Sequence, residues 1–226
     1  RINSMDWGYT PSGLAVGFIV GLTGVGGGSL MTPLLILGFS ISPATAVGTD
    51  LLYASLTKAG GVWVHGRRGT VDWKLVKRLS IGSLPAALLT VLGLNALGVE
   101  NQIFSDLITG TLGIALILTA LALFFHNQLA HLGKSRFSSL AAWRDQNIVT
   151  ATITTGAVLG ILVTMTSVGA GALGMVALIT LYPRSPTINL IGSDIAHAVP
   201  LTLIAGMGHV YLGTVDFGLL GSLLLG

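Results

Sequence analysis

The two halves of this chain carry the same short motifs about 144 residues apart. His65 to Asp72 reads HGRRGTVD, and His209 to Asp216 reads HVYLGTVD, with five identical positions. GTD at 48–50 meets GSD at 192–194 with the same spacing. TGVGGGSL from Thr23 meets TSVGAGAL from Thr166, 143 residues later. Similarity at one fixed spacing is typical of internal duplication, so we predict two homologous units.

Long apolar stretches dominate both units. Hydrophobic residues make up 52% of the chain and charged residues only 8%, whereas a soluble domain has roughly 25% charged residues. About 20 apolar residues can cross a hydrocarbon core as a helix. We therefore predict an all-α, polytopic transmembrane protein. The stretches run near 11–37, 43–65, 75–94, 103–125, 149–181 and 189–211, and a seventh opens near 215.

The duplication also predicts the domain boundaries. Residues 1–125 form the first transmembrane repeat, 126–147 a polar cytoplasmic connection, and 148–226 the second repeat. If both copies have the same length, the second would extend about 40 residues beyond Gly226. We therefore expect the sequence to be truncated within the second copy.

Loop charges predict that the two copies have opposite orientations in the membrane. The loop after the second apolar stretch is rich in basic residues, and the positive-inside rule makes it cytoplasmic. The equivalent loop, 209–222, contains no Lys or Arg, whereas the second copy carries Arg184 where the first has the uncharged FSIS. The basic residues of the first loop are Arg67, Arg68, Lys74, Lys77 and Arg78.

Glycines interrupt the first apolar stretch of each copy. GLTGVGGGS lies in the middle of 11–37, and each glycine weakens a helix by about 1 kcal/mol relative to alanine. We predict a re-entrant hairpin of two half-helices, which together with three full crossings would invert the second copy. One continuous but broken crossing per copy is the alternative, and it would leave the copies parallel.

The glycine runs at 24–28 and 169–171 are candidates for an anion site. Interrupted helices expose backbone N–H groups, which attract anions. Irregular backbone at membrane depth is tolerated where it is buried in protein or lines a water-filled cavity. The alternative is that these glycines only allow helices to pack closely.

Asp50, Asp194 and Lys58 lie well inside apolar stretches, where charge is expensive and usually functional. Asp50 and Asp194 occupy equivalent positions in the two copies and are predicted either to brace the broken helices or to bind a coupling ion. Lys58 lies two helical turns after Asp50 and has Thr202 as its counterpart. It would either neutralise Asp50 or offer its charge to a substrate anion.

Three histidines are candidates for coupling or structural roles. His65 and His209 end the second stretch of each copy, where each could relay protons or cap a helix C-terminus. His197 follows Asp194 by three residues, so the two side chains share a helix face and could pair. The order and spacing of these residues do not suggest an enzyme.

Three of these segments, each echoed in the second half, resemble the TauE/SafE family of sulfite exporters, also called 4-toluene sulfonate uptake permeases. They are GVGGGSLMTPLL from Gly24, AVGTDLLYASLTK from Ala46, and the H-x-x-x-G-T-V-D loop. The resemblance implies transport of sulfite, sulfonates and related anions across the bacterial cytoplasmic membrane, with ion or proton coupling. It also maps the glycine-rich re-entry of the family to 24–28 and 169–171, and its Gly-Thr/Ser motif to Thr49 and Ser193.

We therefore predict a multi-pass secondary transporter of small sulfur-containing oxyanions that works by alternating access between two repeats. A cation or proton transporter using the two aspartates, and a non-transporting membrane scaffold, remain alternatives. The expected partners are the anion, the bilayer, and a proton or sodium ion, with a homodimer as one possible assembly. We expect no metal, organic cofactor or nucleic acid. The predicted substrate-binding residues are Thr23, Gly26, Gly27, Gly28, Ser29, Thr49, Lys58, Thr166, Gly169, Ala170, Gly171 and Ser193.

Overall fold

The computed structural model describes residues 8–23, 27–125 and 146–226, and the described part is built from helices. This confirms the predicted all-α class. In chain order the helices are α1 (Tyr9–Thr23), α2 (Gly28–Pro33, continued by a π-helical turn Leu34–Gly38), α3 (Pro43–Arg67), α4 (Trp73–Leu97), α5 (Gln102–Phe124), α6 (Ile148–Thr166), α7 (Ala172–Leu181), α8 (Thr187–Tyr211) and α9 (Phe217–Leu224).

Four of these helices, α4, α5, α6 and α8, are long and apolar enough to cross a membrane. This confirms the prediction of a polytopic membrane protein. Helix α3 is as long as α8, with 25 residues, but it carries both Asp50 and Lys58. Most of the predicted connection 126–147 lies outside the described residues, and α6 begins at its end.

Each glycine-interrupted stretch forms two helices that fold back on each other. In the second copy, the Thr152 hydroxyl at the start of α6 lies 2.7 Å from the Tyr182 hydroxyl at the end of α7. In the first copy, the rings of Tyr9 and Phe39 at the equivalent positions lie 4.8 Å apart between centroids. The start of the first helix therefore lies beside the end of the second, which makes each pair a hairpin.

Helices α3 and α8 occupy equivalent positions in the two copies and pack antiparallel. Gly48, near the start of α3, lies against the Thr214 carbonyl in the loop after α8. Gly192, near the start of α8, lies against the Thr70 carbonyl in the loop after α3. Such reciprocal contacts are typical of two units related by a two-fold axis. Because the equivalent helices α3 and α8 run antiparallel, this axis lies perpendicular to them.

The outer helices repeat the same exchange. Gly156 of α6 lies against the Leu79 carbonyl of α4, and Gly13 of α1 lies against the Leu223 carbonyl of α9. At each of these glycines a Cβ would overlap the carbonyl, so the backbones touch directly. Small residues allow such close approach in membrane helices. The two copies thus pack through equivalent surfaces.

The principal apolar core lies where α3 and α8 meet α4. Its fully buried side chains include Val47 and Leu51 from α3 and Leu201 from α8, and Val91 contributes from α4. Local signals set the helix ends around this core. Asp72 caps α4, because its carboxylate accepts from the backbone N–H groups of Lys74 and Leu75 at 2.9 and 3.2 Å. The core therefore fixes the middle of α3, from which Asp50 and Lys58 project.

Candidate functional site

The two H-x-x-x-G-T-V-D loops are folded alike. In each, the histidine Nδ1 lies 2.8 Å from the threonine hydroxyl five residues later, His65 with Thr70 and His209 with Thr214. The backbone N–H of the threonine also bonds to the histidine carbonyl, which closes the C-terminal end of α3 or α8. His209 is fully buried, and its Nε2 also donates to the Thr164 carbonyl at 2.9 Å. The structure places His65 and His209 in these helix caps.

Each loop also holds the helix of the other copy. The Asp72 N–H donates to the Ser193 hydroxyl at 2.8 Å, and the Asp216 N–H donates to the Thr49 hydroxyl at 3.1 Å. We call this pair of symmetric contacts, with Gly48 and Gly192 packed beside them, the clasp. Thr49 and Ser193 are fully buried in it. The structure therefore places these two predicted substrate hydroxyls at the contact between the copies.

The break between α6 and α7 needs its glycines. Gly169 and Gly171 have φ angles of 124° and 135°, and Ser167 adopts the left-handed conformation at 58°. Side chains with a Cβ are strained at such angles. The Thr166 hydroxyl ends α6 by donating to the Leu162 carbonyl and accepting from the Val168 N–H. The Thr166 hydroxyl is thus engaged in hydrogen bonds within the break.

The breaks of the two copies meet. Gly28, the first residue of α2, packs against the carbonyl and hydroxyl of Ser167 so closely that a Cβ would overlap them. Gly27 precedes it as the N-cap residue, and Ser29 lies in the first turn of α2. The Thr23 side chain and Gly26 lie outside the described residues.

Lys58 connects the two copies beside these helix breaks. From α3 of the first copy, its ammonium donates to the Ala170 carbonyl in the break of the second copy, 2.7 Å away. It also lies within electrostatic range of both Asp50 and Asp194. Among the described residues, its hydrogen-bond partner is therefore a backbone carbonyl and not either carboxylate.

A cavity of about 200 Å³ adjoins Lys58. Helix α1, Gly27 and the middle of α3 border it. Its polar lining in α3 comes from Tyr53, Thr57 and Lys58, and the α1 side is apolar or glycine. The cavity thus brings Lys58 together with Gly27, two of the predicted substrate-binding residues. It is lined by Val16, Gly17, Val20, Gly21, Gly27, Tyr53, Ala54, Thr57 and Lys58.

The two buried aspartates have different surroundings. The Asp50 Oδ2 accepts a hydrogen bond from the Thr32 hydroxyl at 2.7 Å. The Asp194 carboxylate lies against the backbone of Gly174 in the first turn of α7. Within the described residues, the Oδ1 atom of each aspartate is buried without a partner, and no side chain donates to Asp194 as Thr32 does to Asp50. Each aspartate therefore faces the short helix of its own hairpin.

His197 does not pair with Asp194, contrary to the sequence prediction. Its Nε2 lies 2.8 Å from the Ser83 hydroxyl of α4, and its Nδ1 is buried without a hydrogen bond from the described residues. Helix α4 therefore supplies the hydrogen-bond partner of His197. Sequence reasoning missed Ser83, Thr32 and Tyr53. Only Tyr53 carried a signal, because it is the equivalent of His197 in the first copy.

Comparisons with known proteins find one family model and several relatives. The family model described as sulfite exporter TauE/SafE matches residues 9–226. The probable membrane transporter protein YjnA of Bacillus subtilis (strain 168) is 42% identical over 214 residues, covering 95% of this chain and 83% of the relative. Probable membrane transporter protein YdhB of the same organism is 26% identical over 218 residues (93% and 81%), and one from Xylella fastidiosa (strain 9a5c) is 27% identical over 221 residues (95% and 78%). No solved structure matches the chain.

Proposed function

Because the chain belongs to the sulfite exporter TauE/SafE family of membrane transporters, we propose that it moves small sulfur-containing oxyanions across the bacterial cytoplasmic membrane. Sulfite, thiosulfate and small sulfonates are the candidate substrates. The observation that carries this proposal is the cavity beside Lys58, which combines a cation with a partly open space of about 200 Å³. That volume accommodates a small anion with few waters.

Lys58 is suited to bind an anion without leaving its present partner. An ammonium group has three N–H donors, and one of them is used by the Ala170 carbonyl. The other two can point to an oxyanion in the adjoining cavity. Charge-assisted hydrogen bonds of this kind contribute about 1.5–3 kcal/mol. Gly27, which also lines the cavity, would let the anion approach the backbone closely.

Alternating access follows from the arrangement of the copies. The antiparallel packing of α3 and α8 supports an inverted orientation of the two repeats, a common plan among secondary transporters. An anion on Lys58 would lie at the junction of both repeats, because this lysine from the first copy holds the break of the second. Rocking of one repeat against the other would expose the cavity first to one side and then to the other, driven by a proton or sodium gradient.

The experiment is uptake of radiolabelled sulfite, thiosulfate and a small sulfonate into proteoliposomes containing the full-length protein. Lys58→Gln keeps a hydrogen-bond donor but removes the charge, and we expect it to raise KM at least about tenfold. Lys58→Arg should retain most of the uptake. Lys77→Gln, an exposed change at the start of α4, controls for the loss of one positive charge.

Three results would contradict the proposal. Equal uptake by wild type and Lys58→Gln would remove Lys58 from the site. Transport of cations only, abolished by Asp50→Asn, would instead establish the aspartates as an ion site. Failure to transport any of these solutes would support a non-transporting scaffold.

A further inference from the structure

The buried charges of the described helices do not balance. Away from the helix ends, these helices contain two aspartates, Asp50 and Asp194, and one lysine, Lys58. If all three were ionised, one negative charge would remain without a counter-charge. An uncompensated buried ion is very costly, and proteins usually avoid it by neutralising the group. One further positive charge is therefore required, and the smallest one available is a proton.

Hydrogen-bond donors distinguish the two carboxyl groups. The Thr32 hydroxyl donates to Asp50 at 2.7 Å, and a donor of this kind stabilises the ionised form. In the described part of the chain no side chain donates to Asp194, which is buried against the Gly174 backbone. The same amount of burial is thus less costly for an ionised Asp50 than for an ionised Asp194.

The other charged groups around Asp194 are few. From α3, Lys58 lies within electrostatic range of Asp194 and of Asp50, while Asp50 itself faces Thr32 of α2. Helices α6 and α7 contain no titratable residue, and α4 has none after its first two turns. On α8 itself, His197 lies one turn away with its Nε2 paired to Ser83. No described neighbour therefore replaces the missing donor.

We propose that Asp194 carries a proton in this conformation and is the group that couples transport to protons, while Asp50 stays ionised with Lys58 as its counter-charge. The coupling part rests on the proposed anion transport, but the protonation does not. In the cycle, the Asp194 carboxylate binds one proton from water and later returns it to water. Because Asp194 is buried against α7, it can release the proton only when movement of that hairpin admits water.

Infrared spectroscopy of the purified full-length protein at neutral pH tests the protonation directly. A buried protonated carboxyl group gives a C=O stretching band that ionised carboxylates lack, and the band shifts in D₂O. We expect this band in the wild type, its loss in Asp194→Asn, and its retention in His197→Gln. Asp106→Asn, an exposed change near the start of α5, is the control. A wild type without the band, or a band that survives Asp194→Asn, overturns the proposal.

A second measurement tests coupling in proteoliposomes. An imposed pH gradient should change the rate of [³⁵S]sulfite or thiosulfate flux in the wild type, and this response should be lost in Asp194→Asn. The variant should still exchange labelled for unlabelled anion, because its amide imitates the protonated acid. If the Asp194→Asn variant responds to the pH gradient as strongly as the wild type does, Asp194 does not couple transport to protons. Absence of anion flux in the wild type would refute the proposed function and leave the infrared result intact.

Discussion

Replacing Gly192 with alanine would place a methyl group directly in the clasp. The new Cβ would lie 2.5 Å from the Thr70 carbonyl oxygen and 3.1 Å from His65 Nδ1. A contact of at least 3.0 Å is needed, so the loop after α3 would have to move outward by about 0.5 Å or more. That movement also stretches the adjacent hydrogen bond from the Asp72 N–H to Ser193, which is 2.8 Å long.

Three effects set the size of the loss. Overpacking of a close contact costs about 1–3 kcal/mol. Weakening the buried hydrogen bond of the Asp72 N–H adds about 1 kcal/mol. Alanine offsets about 1 kcal/mol of this destabilisation, because its helix propensity is higher than that of glycine. We therefore expect Gly192→Ala to lower the free energy of unfolding by about 1–3 kcal/mol.

Unfolding in mixed detergent micelles, followed by tryptophan fluorescence, measures this change. Gly60→Ala is the matched control, because this glycine also lies in a clasp-forming helix, α3, but a Cβ there meets no atom within 4 Å. It should leave stability unchanged or raise it by up to about 1 kcal/mol. Gly48→Ala, whose Cβ would lie 2.7 Å from the Thr214 carbonyl, should behave like Gly192→Ala. If Gly192→Ala is as stable as Gly60→Ala, the clasp does not hold the copies together as described.

Two further predictions test the same arrangement. Ser193→Ala removes the acceptor of the buried Asp72 N–H and should destabilise the protein by about 1–3 kcal/mol without raising the KM for an anion; a raised KM at unchanged stability would restore Ser193 to the substrate site. Arg67→Cys and Tyr211→Cys occupy equivalent exposed positions in a chain without native cysteine, so a membrane-impermeant thiol reagent should label them from opposite faces. Labelling from one face would mean that the repeats are parallel.

Features that depend on backbone conformation were visible in the sequence. A run of glycines weakens a helix whatever surrounds it, which is why the breaks near Gly27 and Gly169 could be located. The spacing of about 144 residues also located the equivalent helices, and α3 and α8 have the same length at that offset. These properties are local or repeat along the chain, so they need no knowledge of packing.

The partners of side chains could not be obtained in this way. The carbonyl that receives Lys58 lies 112 residues further along the chain, and nothing local to either residue indicates the contact. Thr49 was predicted to bind substrate because the family resemblance maps its Gly-Thr/Ser motif to this position. Its hydroxyl instead accepts from Asp216, 167 residues away. A stronger clue was that the Gly-Thr/Ser-Asp motif and the H-x-x-x-G-T-V-D loop both recur in the second copy. This is expected when the loop of each copy contacts the motif of the other.

Some contacts are present in both copies and others in only one, and this difference bears on how the two repeats could move. The clasp is symmetric, since Thr49 and Ser193 make equivalent contacts in the two copies. Inverted repeats can exchange conformations during alternating access, and a contact present in both copies serves both states equally. The lysine is not duplicated, because Thr202 stands at the equivalent position and bonds only within its own helix. A carrier with one such cation between two matching halves has one place for an anion, so we expect both access states to use the same Lys58.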